Sequence, residues 1–165
     1  MATLTKNENF LQPTGYKISI NRKNYPNLEF FVQSVVHPSV SVAQTEVQYS
    51  RVAIHTAGDK ILYDELTMEI LLDEDMSGYK EMYTWLERLV ETKDVRAEDK
   101  SNAGVSSVAD ITLSILSSHN NTTNKFIYRD CVPTLLGSVN LTANAADVQY
   151  ITAPISFSFT YFDIV

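Results

Sequence analysis

Residues 151–165, ITAPISFSFTYFDIV, constrain the fold more than any other stretch. Ile155, Phe157, Phe159 and Tyr161 fall on one side of an extended chain, and serines and a threonine fall on the other. A period of two sends successive side chains to opposite faces of a strand, so the run is expected to form one long strand with an apolar and a polar face. Such a strand needs neighbours to pair with and a second layer to cover its apolar side. Other segments repeat the pattern. GYKISI sets Tyr16, Ile18 and Ile20 on one face, and LTMEILL sets Leu66, Met68, Ile70 and Leu72 against Thr67 and Glu69. DITLSIL does the same with Ile111, Leu113 and Ile115, while LEFFVQSVV, KFIYRDCV and GSVNLTA read as further strands. NRKNYPN, before LEFFVQSVV, reads as a reversal of the chain.

One segment has a different period. In MSGYKEMYTWLERLVE, Met76, Tyr79, Met82, Tyr83, Leu86, Leu89 and Val90 recur at threes and fours and form a single helical stripe, with Trp85 at its border. Asp73, Glu74 and Asp75 precede it, where negative charge favours the positive end of the helix dipole. The order strands, helix, strands predicts an α+β domain: a mostly antiparallel β-sandwich or barrel with one flanking amphipathic helix. A chain of 165 residues is expected to be a single domain, 1–165, with an N-terminal arm over 1–14. Residues 92–107, TKDVRAEDKSNAGVSS, read as a long charged, then small-residue loop.

QTEVQYSRVAI, residues 44–54, fits neither layer. It is strand-like, and Ala57-Gly58-Asp59-Lys60 after it reads as a turn. Taken as one extended run, Val47, Tyr49, Arg51 and Ala53 share one face, and Glu46, Gln48, Ser50, Val52 and Ile54 share the other. Neither face is a core face. Residues 43–58 are therefore expected to form an extended hairpin arm, either an edge hairpin on the protein's own sheet or a contact with another molecule.

The chemistry in the chain is sparse. A formal net charge of -7 argues against a surface that grips nucleic-acid phosphates. Cys131 is the only cysteine, and His37, His55 and His119 stand at no metal-ligand spacing to it or to one another. With five glycines there is no phosphate-cradling loop, and nothing assembles a nucleophile, a base and an oxyanion site. The expectation is a protein that is not an enzyme, with no catalytic, cofactor-binding or metal-binding residues. The first ten residues, MATLTKNENF, lack the apolar run of a signal peptide, and no run reaches the roughly 18 apolar residues of a membrane span, so a soluble chain of intracellular origin is expected.

Two stretches resemble a known family. Ala57-Gly58-Asp59, the strand from Glu65 to Leu72, Asp73-Glu74-Asp75, and Tyr79, Met82 and Trp85 on the helix are similar to the tail tube proteins of contractile-tailed phages. Those proteins show an A-G-D tripeptide, an acidic-aromatic strand, an acidic turn and a Y-x-x-[FL]-x-x-W helix. The ending CVPTLLGSVNLTANAADVQYITAPISFSFTYFDIV is also similar, and residues 92–107 have no counterpart. The resemblance implies hexameric rings that stack into a hollow tube, a virion component made in the host bacterial cytoplasm. Its implied partners are further copies of itself, sheath and baseplate proteins, and DNA passing without specific binding, with no membrane contact at rest. Tubes of secretion systems and injection machines are related. The resemblance assigns the arm to ring stacking through Glu46, Val47, Tyr49, Arg51, Val52, His55 and Asp59. The acidic balance and the polar strand faces make Thr67, Glu69, Ser156, Ser158 and Thr160 the candidates to face the channel. Two other readings stay open: a tube-end or baseplate adaptor or secretion-tube subunit of the same fold, and an unrelated β-rich ligand-binding domain.

Overall fold

A computed structural model of the chain describes residues 10–20, 25–30, 32–90, 107–142 and 150–165. The expected N-terminal arm and the 92–107 loop fall mostly outside them. Among the described residues the order is β1 (Tyr16–Ser19), α1 (Pro26–Phe30), β2 (Val32–Val36), β3 (Val40–Tyr49), β4 (Val52–Tyr63), β5 (Leu66–Leu71), α2 (Ser77–Leu89), β6 (Ala109–Leu116), β7 (Thr122–Leu136), β8 (Thr152–Ser158) and β9 (Tyr161–Ile164). All the pairings are antiparallel. The fold is thus α+β and mostly antiparallel, as the alternation predicts, and its sheets do not close into a barrel.

The two layers are one sheet folded over. The first half of β7 pairs with β6 and β9, and β6 pairs with β1. The second half of β7 pairs with β8, which continues through β5 to β2. The crossing point is Asp130, at φ 54. Aspartate enters this left-handed region more readily than most residues. Its N–H donates to Asp110 Oδ1 (3.2 Å), and Asp110 Oδ2 also accepts from Arg129 Nη1 at 2.6 Å.

The opposite strand bends at the same level. The long C-terminal strand expected from the sequence is two strands, β8 and β9, broken at Phe159 and Thr160. The register is the same on both sides of the break, with Val132 opposite Ser158 and Arg129 opposite Tyr161. Thr160 N–H donates to the Arg129 carbonyl across the gap at 3.1 Å. Beyond the bend the inward positions shift by one. Tyr161 is exposed, and Phe162 joins the ring cluster of Phe126, Tyr128 and Phe159 in its place.

The core lies between the layers. Ile18, Leu66, Met68, Ile70, Ile111, Leu113, Ile155 and Phe157 are buried, as their alternation requires. Helix α2 adds Met82 and Trp85. The sequence places Trp85 at the edge of the helical stripe, but the structure puts it at the centre, fully buried, 5.5 Å from the Phe157 ring and stacked on Tyr25 at 4.2 Å. Trp85 Nε1 donates to the Ser107 carbonyl at 2.9 Å, which satisfies its polar edge. Tyr83 and Val90, assigned to the stripe from spacing, are exposed. At the helix start, Asp73 Oδ1 accepts from the Ser77 N–H at 2.7 Å. Hydrogen bonding from Ser77 holds the Asp73 carboxyl below its ordinary range.

Two further expectations are corrected. The strand read from LEFFVQSVV begins only at Val32, because Pro26–Phe30 form α1. Five residues are too few for a helix to hold itself. Glu81 of α2 holds it, accepting from Asn27 N (3.1 Å), Leu28 N (3.3 Å) and Asn27 Nδ2 (2.6 Å). The described part of GSVNLTA, residues 137–142, is not a strand. Both edges of β8 are already occupied by β5 and β7, and the last rung on the β7 side is Gly137 N–H to the Pro154 carbonyl, at 2.7 Å.

Candidate assembly surfaces

Strands β3 and β4 pair only with each other among the described strands. They form a hairpin from Val40 to Tyr63, longer than the 43–58 arm expected from sequence. Its root is fastened to the sandwich. Asp64 N–H donates to the Ser39 carbonyl (3.1 Å), the Ser39 hydroxyl donates to the Asp64 carboxylate, and Tyr63 packs on Phe159 and Phe162. His37, just before the root, sits against the Phe126 and Phe162 rings, with Nδ1 2.6 Å from the Tyr128 hydroxyl. Burial pulls the His37 pKa down and pushes that of Tyr128 up, so both stay neutral near pH 7.

The reversal is not where the sequence puts it. The chain turns at Ser50 and Arg51, between the paired Tyr49 and Val52, with Ser50 at φ 55. Ala57-Gly58-Asp59-Lys60 lies inside β4, where Gly58 to Lys60 stand opposite the single Ala43 as a bulge. Gly58 is required there by proximity: a Cβ on it would lie 2.3 Å from the Ala43 carbonyl oxygen.

Moving the turn reassigns the faces. Residues directly opposite in an antiparallel ladder share a face, so Val47 joins Ile54, and Thr45 joins Thr56. Val52 is two residues from Ile54 and lies on that side too. Glu46 with His55, and Gln48 with Ala53, form the other face. The outer half of the arm is therefore amphipathic, whereas the same residues taken as one straight run give two mixed faces. Val47, Val52 and Ile54 are 52%, 68% and 48% exposed in the single chain.

The seven stacking residues named from sequence do not share one face. Val47 and Val52 lie on the apolar side, and Tyr49 is paired with Val52. Glu46 and His55 lie on the polar side, with Oε1 and Nδ1 3.6 Å apart. Arg51 is at the apex and Asp59 is in the bulge. Ile54 is the missed member, and the signal for it is the parity change imposed by a two-residue turn.

Of the five channel candidates, four come together. Thr67 is opposite Ser156, Glu69 is opposite Pro154, and Ser158 is two residues from Ser156, all on the outer face of the β2–β5–β8 layer. Ser34 extends that face opposite Glu69. Ser156 is only 5% exposed and offers little surface; Thr160 lies at the bend, off this face. The layer's strands β2, β5 and β8 contain no Lys or Arg, nor do residues 132–136 of β7.

A family model described as phage tail tube protein matches residues 3–164. Several solved structures have a similar fold. The cap that terminates the tube of the anti-feeding prophage is 12% identical with a TM-score of 0.70, covering 100% of this chain and 99% of that one. A chain of the PVC extracellular contractile injection system, from its extended sheath-tube complex, is 14% identical with a TM-score of 0.67, covering 96% and 93%. A chain from that system's sheath/tube terminator is 13% identical with a TM-score of 0.66, covering 97% and 99%. At these identities the likeness shows the fold alone. A search of curated proteins finds no match.

Proposed function

The chain belongs to the phage tail tube protein family, and on that premise we propose that it is a structural subunit of a hollow tail tube made of stacked sixfold rings. In this reading the tube belongs to a virion tail, the chain is made in the host cytoplasm, and its partners are further copies of itself, sheath and baseplate proteins. DNA passes through without being held. The observation that carries the proposal is the arm. A hairpin that pairs with no other described strand and exposes an apolar face is unfavourable in an isolated subunit and is satisfied by neighbours. The basic-free outer face of the β2–β5–β8 layer suits a channel wall, since Lys and Arg contacts would retain a polyanion.

A second reading is a subunit that ends the tube, because the fold is shared with a tube-terminating cap as well as with a sheath-tube complex. Negative-stain microscopy and mass photometry of the purified protein test both. Long hollow filaments support the tube subunit, and isolated rings that never stack support the end piece. A species that stays monomeric at high concentration removes both.

A further inference from the structure

The arm root and an apolar groove lie at opposite ends of β5. The root at Tyr63 and Asp64 precedes Leu66, where β5 begins. The groove opens where β5 ends, beside Leu72, whose N–H donates to the Ile151 carbonyl at 2.9 Å just before β8. Met76, Tyr79, Leu141 and Tyr150 line it, Asp73 and Glu74 form its rim, and its volume is ≈ 600 Å³. Leu141 and Tyr150 are 75% and 79% exposed, so the lining is open to solvent in the single chain.

The outer arm has the complementary chemistry. Its apolar face carries Val47, Val52 and Ile54, and its apex is Arg51, which makes no ion pair with any described residue. Glu74 makes none either. A chain with a net charge of -7 repels further copies of itself at most approaches. A cationic apex entering an acidic rim is an exception that also fixes orientation. The arm's root is fastened at the far end of the sandwich from the groove, so the occupant is the arm of another molecule.

We infer that the groove between the start of α2 and the segments at 139–141 and 150–151 receives the outer arm of a second copy, with Val52 and Ile54 against Tyr79, Leu141 and Tyr150, and Arg51 against Glu74. The contact joins unlike ends of two molecules. It is therefore heterologous, repeats along the β5 direction and does not close on itself as a symmetric dimer. This rests on the tube reading and adds to it the acceptor surface.

Charge reversal and cross-linking of the full chain test it. Arg51→Glu and Glu74→Arg should each raise the concentration needed for assembly by about fivefold or more, and the double variant should return to within about twofold of the native threshold. Losses that simply add in the double variant, or no effect from either change, would overturn the pairing. A Val52→Cys/Leu141→Cys variant, oxidised after assembly, should give a ladder of dimers, trimers and longer chains on a non-reducing gel. Cys131 will not interfere, because it is buried and its thiol pKa is pushed up to about 12. Tubes that form without a ladder, or dimers from Val52→Cys alone, would overturn the groove while leaving the tube reading intact. A protein that never assembles would overturn both.

Discussion

Glu81 shows how one side chain can create an element. Its carboxylate takes the N–H groups of Asn27 and Leu28, the orphan donors at the start of α1. Glu81→Ala should therefore destabilise the fold by about 2 kcal/mol, between the usual loss of a cap and the loss of charged hydrogen bonds. The urea midpoint should fall without a change in slope; an unchanged midpoint would mean α1 is held by packing alone. His37 makes a pH prediction. Its folded pKa lies below its ordinary value of 6.5, so the unfolded chain binds the proton first as pH falls. The stability contributed by neutral His37 is present above pH 6.5 and shrinks as pH drops from there toward the depressed folded value. The effect is small because the side chain is partly open to water. Between pH 7.5 and 5.5 the native chain should lose about a degree more in melting temperature than His37→Gln. Parallel losses in the two proteins would assign the acid sensitivity elsewhere.

At the scale of elements, the arm and the sandwich are separable. The arm's pairings are its own, and the buried core contains none of its residues. Replacing Val47, Val52 and Ile54 together with serine should raise the assembly threshold on the order of 100-fold, since three apolar side chains lose their burial between molecules. The subunit's thermal melt should move by no more than a few degrees. Collapse of the melt would show that the arm's apolar face is covered within the chain. The bend through Asp130 and Thr160 is the other decisive element, because it lets one continuous ladder serve two layers and directs Phe162 inward.

For the whole molecule, charge distribution matters more than total charge. The outer face of the β2–β5–β8 layer brings Thr67, Glu69, Ser156 and Ser158 together, and its strands contain no basic residue. If this face lines a channel, the assembled protein should hold DNA weakly. A gel-shift series in about 50 mM salt should show no retention at protein concentrations near 100 μM, a range in which non-specific DNA binders are already engaged. Tight binding that disappears with added salt would remove the face from the channel wall.

The sequence alone determined what depends on local periodicity: the inward sets of β5 and β6, the existence of α2 and the two-layer class. A side chain's face follows directly from its position in a regular element. The resemblance in Ala57-Gly58-Asp59 and Tyr79, Met82 and Trp85 pointed to the family without locating any contact. Tertiary structure decided what breaks periodicity. Helix α1 forms because a carboxylate distant in sequence satisfies its N–H groups, and the C-terminal run divides because β7 bends beside it. The arm becomes amphipathic because its turn falls at Ser50 and Arg51, where no Gly, Asn or Pro marks it, and a two-residue turn inverts the faces of the residues beyond it relative to a straight run.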